Sequence, residues 1–118
     1  MMIAGMASAL SGIQTGGRIL SVGAHNTANA QTESFKRIRA LPVESSAGNG
    51  VRVTLQTDER PGPQFLSSVD SISLREGSNV DLGKEIISNL QAVNLIEANI
   101  ASTRIQDKIF GSLLDITG

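Results

Sequence analysis

Positions Ile3, Met6, Leu10, Ile13, Gly17, Leu20, Ala24 and Thr27 follow one another in alternating steps of three and four, the spacing of a helix face that packs on another helix. The spacing predicts a helix over about residues 2–30. A second organised stretch opens at Ser78-Asn79-Val80-Asp81, where Asp81 or Asn79 is suited to cap a helix N-terminus and Glu85 to sit in its first turn. The helix it starts runs to about Ile116. Along it Ile86, Val93, Ile96, Ile100, Thr103, Phe110 and Leu114 form one seam, and Ala101, Ile105, Ile109 and Leu113 a second. Two stripes imply two packed sides: a wide face, or a contact with another subunit.

Between the helices the period shortens toward two. Val51, Val53 and Leu55 alternate with Arg52, Thr54 and Gln56 as in a half-buried strand, and Phe35–Val43 supplies its partner. Ser45–Gly50 has the composition of the connecting loop, and Arg60-Pro61-Gly62-Pro63 ends the second strand because proline cannot donate to a ladder. Phe65–Leu74 reads as a short third strand on weaker alternation. The fold class is therefore α+β: long N- and C-terminal helices pairing as a coiled-coil-like hairpin, with a small β-hairpin insert. Residues 1–34 hold the first helix and the turn after it, 35–77 the insert and 78–118 the last helix, the two ends together making one helical assembly domain.

Composition sharpens the reading of the first helix. Fourteen of the first thirty residues are Gly, Ala or Ser, and each helical glycine costs about 1 kcal/mol relative to alanine. So few bulky residues do not offset the ordering of a long helix against one partner. Close packing among several copies, with chain ends that order on assembly, is the expectation.

The 118 residues carry ten Lys plus Arg against eleven Asp plus Glu and only 3% aromatics, which leaves no basic field for nucleic acid. Cysteine is absent and His25 is the sole histidine, so the common transition-metal ligand sets are missing and no cofactor is expected. No Lys or Arg precedes Arg18, against a cleaved secretory leader, and no apolar run nears the roughly 20 residues that would cross a bilayer.

Candidate chemistry is thin. His25 has no carboxylate within one turn and reads as a surface or capping residue. Gly12, Gly16 and Gly17 lack the spacing of a phosphate loop. Asp58 and Glu59 beside Arg60 read as a solvated turn. Lys36, Arg37 and Arg39 around Phe35 are too few for a nucleic-acid surface and read as outward charges that guard a strand edge or pair with another subunit. No enzyme is expected.

The segment from Ala24 through Arg37, with Asn26, Thr27, Ala28, Asn29, Thr32, Ser34, Phe35 and Lys36 in order, resembles the N-terminal signature of flagellar basal-body rod and hook proteins: Asn, aliphatic, Ala, Asn, two variable residues, Thr, variable, Gly, aromatic, basic. Upstream, Ser8–Ile13 is similar to the family's opening. Ser78–Leu82, Glu85, Glu97-Ala98-Asn99, Asp107 and Leu113-Leu114-Asp115 follow its C-terminal spacing. The short insert makes the chain most similar to the small proximal-rod subunits. Ser34 stands in place of the usual glycine and points to a different backbone in that turn. Thr27 replaces an aliphatic residue, and Val93, Asn94 and Ile96 replace a polar, Arg and Tyr group.

The resemblance implies a structural subunit of the rod, the shaft that crosses the periplasm and transmits torque to the hook, exported without a cleaved leader by the flagellar export apparatus. Its implied partners are other rod and basal-body proteins in a homo- or hetero-oligomer, with no nucleic acid and no membrane insertion. Leu10, Ile13, Leu20, Ile100 and Phe110 would then carry packing between helices of the assembly. Asn26, Asn29 and Asn99 would satisfy polar groups in a dry interface, and Phe35, Asn79, Asp81, Ile96 and Leu114 complete the interface set. A small coiled-coil adaptor that binds one partner helix without forming a filament is the alternative, and a small hydrolase the third.

Overall fold

Helix α1 (Met2–Ala28) and helix α2 (Leu82–Thr117) lie antiparallel along most of α1 in the computed structural model, which describes residues 2–46, 49–69 and 72–118. Strands β1 (Ile38–Glu44) and β2 (Val51–Thr57) form one antiparallel hairpin, and β3 (Gln64–Ser67) and β4 (Ser73–Glu76) form another. The protein is α+β, with both hairpins inserted between helices that pack on each other. The expected single insert is thus two hairpins. Phe65–Leu74 does not add a third strand to the first sheet: Gln64–Ser67 pairs antiparallel with Ser73–Glu76, from Gln64 opposite Glu76 to Ser67 opposite Ser73, and residues 70 and 71 of that stretch lie outside the described residues. Within the loop after β1, residues 47 and 48 lie outside the described residues.

The helices meet through their smallest residues. A Cβ placed on Gly12 would lie 2.5 Å from Asn99 Nδ2, on Gly16 2.4 Å from Ile96 Cγ1, and on Gly23 2.1 Å from Asn89 Oδ1, while Gly5 faces Gln106. Ala9 is buried on the same side. The facing positions 5, 9, 12, 16 and 23 of α1 meet 89, 92, 96, 99 and 106 of α2, in steps that are sums of three and four. Absent side chains allow the two backbones to approach, and dispersion contacts along both chains replace those of a leucine seam.

This corrects the expected seam of α1. Ile3 is 78% exposed and Leu10 54% exposed, and a Cβ on Gly17 would touch nothing. On α2 the two expected apolar stripes likewise face largely outward, Ile96 and Thr103 excepted. Glycine substitutions separate the two faces. Gly16→Ala is expected to lower stability by about 1–2 kcal/mol, since Ile96 and the Ala92 carbonyl, 3.1 Å from the new Cβ, must give way. Gly17→Ala should raise it by up to about 1 kcal/mol through helix propensity alone. Urea unfolding midpoints measure both; equal gains would refute a seam at Gly16.

The β1–β2 hairpin lies along α1, sewn on by small polar side chains. Ser11 Oγ accepts from the Val51 N–H at 3.0 Å and the Thr15 hydroxyl donates to the Val51 carbonyl at 3.5 Å, at one end of the hairpin. At the other end Asn26 holds Ile38. From Thr15 to Asn26 a helix climbs about 17 Å, close to the roughly 20 Å of a seven-residue strand, so the hairpin and α1 run side by side. Beyond Asn26 the chain leaves α1 through a turn in which Ser34 has φ +57°. The serine keeps the left-handed backbone that glycine favours, contrary to the expected change, at a cost of about 1 kcal/mol; its N–H donates to the Glu76 carbonyl at 2.8 Å.

Candidate assembly surface

Among the described residues the only apolar side chains that are fully buried are Ala9 and Ala92, and the largest fully buried side chain is a polar one, Asn26. A chain of this size normally hides its leucines and isoleucines. Here twenty large apolar residues are exposed among the described residues, twelve of them on α2, from Leu82 to Ile116. Near the N-terminal end of α1, Ile3, Met6, Ala7, Leu10 and Ile13 with Thr103 of α2 line an apolar groove of about 410 Å³. Exposed apolar surface on this scale is the mark of an interaction face.

Of the residues expected to pack between subunits, Leu10, Ile100, Phe110 and Leu114 are exposed in the single chain, so whatever packing they make is not made within it. Ile13, Leu20 and Ile96 are half-buried, and Ile96 meets Gly16. The asparagines work inside the chain. Asn26 Oδ1 accepts from the Ile38 N–H at 2.9 Å and its Nδ2 donates to the Ile38 carbonyl at 2.7 Å, so one side chain acts as a neighbouring strand for the start of β1. Asn29 closes the end of α1, donating to the His25 carbonyl at 2.9 Å and accepting from the Thr32 hydroxyl at 3.1 Å. Asn99 donates back to the Leu95 carbonyl at 2.8 Å while its amide fills the space over Gly12.

Asp81 is the N-cap of α2, its carboxylate accepting from the Lys84 N–H at 3.2 Å. Asn79 does different work. Its Oδ1 accepts from the Arg37 N–H at 2.6 Å, and its Nδ2 donates to the carbonyls of Asp58 at 2.7 Å and Arg60 at 2.8 Å. Three chain segments are tied at this one amide. Phe35 is half-buried and meets the His25 ring edge-on, centroids 5.5 Å apart.

The expected outward charges are partly internal. Arg37 pairs through Nε with Glu85, which is 3% exposed, and Lys36 pairs with Glu76; Arg39 alone of the three is exposed. Lys36 also donates to the Arg60 carbonyl at 3.1 Å, and Glu76 accepts from the Gly62 N–H at 2.7 Å. The Lys36 hydrogen bond, aided by that N–H, lowers the pKa of Glu76, and the Arg60 hydrogen bond holds Asp58 well below the usual carboxylate range. Stability from such depressed carboxyls is present above about pH 4 and lost as pH falls through their folded values.

Sequence reasoning missed Ser11, Thr15 and the Arg37–Glu85 pair. The pair joins residues 48 apart, which no local pattern connects. A signal for the seam did exist: Gly5, Ala9, Gly12 and Gly16 are small residues at helical spacing. Asn89 Oδ1 and Gln106 Oε1 are buried without a hydrogen-bond donor and lie against Gly23 and Gly5, where only a Cα–H faces them from the glycine. No helix among the described residues is long and apolar enough to cross a membrane. No family model matches the chain, and no curated protein matches it.

Proposed function

We propose that the chain is a structural subunit of the bacterial flagellar basal-body rod, joining copies of itself and other rod subunits in the shaft that carries torque from motor to hook. One observation carries the reading: glycine, alanine and asparagine are inside the helix pair while most of the large apolar side chains of α2, with Ile3 and Leu10 of α1, are exposed. A protein built this way leaves its main hydrophobic free energy to be realised on contact with neighbours. The resemblance of residues 24–37 and 78–82 to rod and hook proteins supplies the particular assembly, and Asn26, Asn79 and Asp81 of those segments are among the residues that hold the helix ends and the insert together.

In the shaft the two helices pair as a coiled-coil-like hairpin, a reading supported by the three-and-four recurrence of the seam. Leu10, Ile100, Phe110 and Leu114 then meet neighbouring subunits. Export proceeds through the flagellar apparatus, the rod spans the periplasm, and the role involves no catalysis or cofactor.

Purified basal bodies from the source bacterium provide the test. Quantitative mass spectrometry should find the chain enriched with the rod fraction, and deletion of its gene should leave cells without hooks. Full enrichment in soluble fractions, with hooks intact in the deletion strain, would refute the proposal.

A further inference from the structure

The two ends of the molecule carry matching apolar surfaces. The protein measures 80 × 24 × 17 Å, whereas the 36 residues of α2 span only about 54 Å. A cross-section of 24 × 17 Å is filled by two helices and the β1–β2 hairpin. The β3–β4 hairpin therefore accounts for the remaining length, about 25 Å, as an extension beyond the N-terminus of α2. Among the described residues no helix and no other strand packs on it. Its base is fixed: Glu76 accepts from Ser34 and Gly62, Gly77 donates to the Pro63 carbonyl at 2.7 Å, and Arg75 pairs with Glu33. Its upper part exposes Leu66, Val69, Ile72 and Leu74, with Val69 and Ile72 each 83% exposed.

At the opposite end, where Gly5 faces Gln106, the groove lined by Ile3, Met6, Leu10 and Ile13 adjoins the last turns of α2, which expose Phe110, Leu113 and Leu114. At roughly 100 Å² of exposed side chain per residue, each end presents on the order of 500 Å² of apolar surface. Joining them buries about 1,000 Å² or somewhat more, where specific interfaces begin. Charge does not oppose the contact. Ile3 to Gly17 has no charged side chain and Gln64 to Leu74 has one, Asp70, while Asp107, Lys108 and Asp115 of the terminal α2 turns are exposed. The groove and the hairpin themselves therefore desolvate little charge.

We propose that a second copy of this chain is the occupant, docked head to tail, with the β3–β4 hairpin of one copy seated on the groove and terminal α2 turns of the next. The inference rests on reading the chain as an assembling subunit and deepens it by naming the contact. Because the two surfaces differ and lie at opposite ends, the contact is heterologous, and it propagates along the long axis instead of closing into a dimer.

The chain contains no cysteine, so single thiols report the contact directly. Full-length Val69→Cys and Leu10→Cys proteins, both altered at exposed positions, are mixed and oxidised at about 100 µM. The mixed disulfide should form at least about tenfold faster than either like pair, and adding Ile72→Asp to the Val69→Cys chain should remove that advantage. An unchanged urea midpoint for each variant verifies that the fold is intact. A Val69-to-Val69 disulfide forming as fast as the mixed one would overturn the proposal in favour of a tip-to-tip dimer. A chain that sediments as a monomer at that concentration, or associates without forming the mixed disulfide, overturns it too, and leaves the rod reading to its own basal-body test. A mixed disulfide from a chain absent from basal bodies would refute the rod reading alone.

Discussion

Glu85→Ala is expected to lower the unfolding free energy by about 3–5 kcal/mol. Glu85 sits in the first turns of α2, buried, and meets the Arg37 guanidinium on the segment that leads into β1. Arg37 is itself mostly covered, its side chain 15% exposed. Removing the carboxylate strands a guanidinium in a place that water reaches poorly, and the loss of Coulomb attraction is no longer offset by solvation. The effect is therefore that of an uncompensated buried charge. The double variant Arg37→Met with Glu85→Leu should recover most of the loss, because neither partner then needs solvation. Urea denaturation of the two single variants and the double variant gives the coupling directly. A single-variant loss under about 1 kcal/mol would mean that Arg37 reaches solvent without Glu85.

The second large effect belongs to Asn26. Asn26→Ala should cost about 2–4 kcal/mol, since two hydrogen bonds vanish and the Ile38 N–H and carbonyl lose their partners in a covered site. Asn26→Asp tests the geometry: it keeps the acceptor for the Ile38 N–H but has no donor for the carbonyl, and it adds a charge where the residue has no exposed surface. It should be at least as damaging as alanine. Hydrogen exchange at the Ile38 amide provides the local readout, with protection falling in both variants while the middle of α2 changes only as global stability does. Undiminished protection at Ile38 in Asn26→Ala would show that the amide has another partner.

Both residues illustrate where local pattern stops being informative. Asn26 and Asn29 stand three apart near a helix end, and the resemblance to rod and hook proteins implies that they satisfy polar groups in an interface. That one would serve as an adjoining strand for Ile38 and the other as a helix cap depends on where the chain goes after Ser34. Asn79 and Asp81 were interchangeable as caps by composition. The backbone chose Asp81, and Asn79 became the tie between residues 35–37, 58–60 and the entry to α2. Lys36 and Arg37, which read as surface charges, found partners 40 and 48 residues away.

The seam was misread for a definite reason. Periodicity weighs bulk, so Ile3, Leu10, Ile100 and Leu114 drew attention as the face that packs. A helix pair has another solution, in which small residues let the backbones close and the bulky side chains are turned away. Both solutions obey the same three-and-four spacing, because every face of a helix repeats with it. Sequence spacing fixes that a face exists without saying which one is turned inward.

By itself, the sequence determined two long helices at the ends, their approximate limits, strands in the middle, a stop at Arg60–Pro63 and the abundance of small residues in α1. These follow from short-range propensity, capping and proline chemistry, which act within a few residues. Tertiary structure alone decided that Gly5, Gly12, Gly16 and Gly23 form the inner seam, that Gln64–Glu76 is a separate hairpin, and that Glu85 is buried against Arg37. Those outcomes depend on distances between residues far apart along the chain, which are set only when the backbones meet and each group either finds a partner or stays in water.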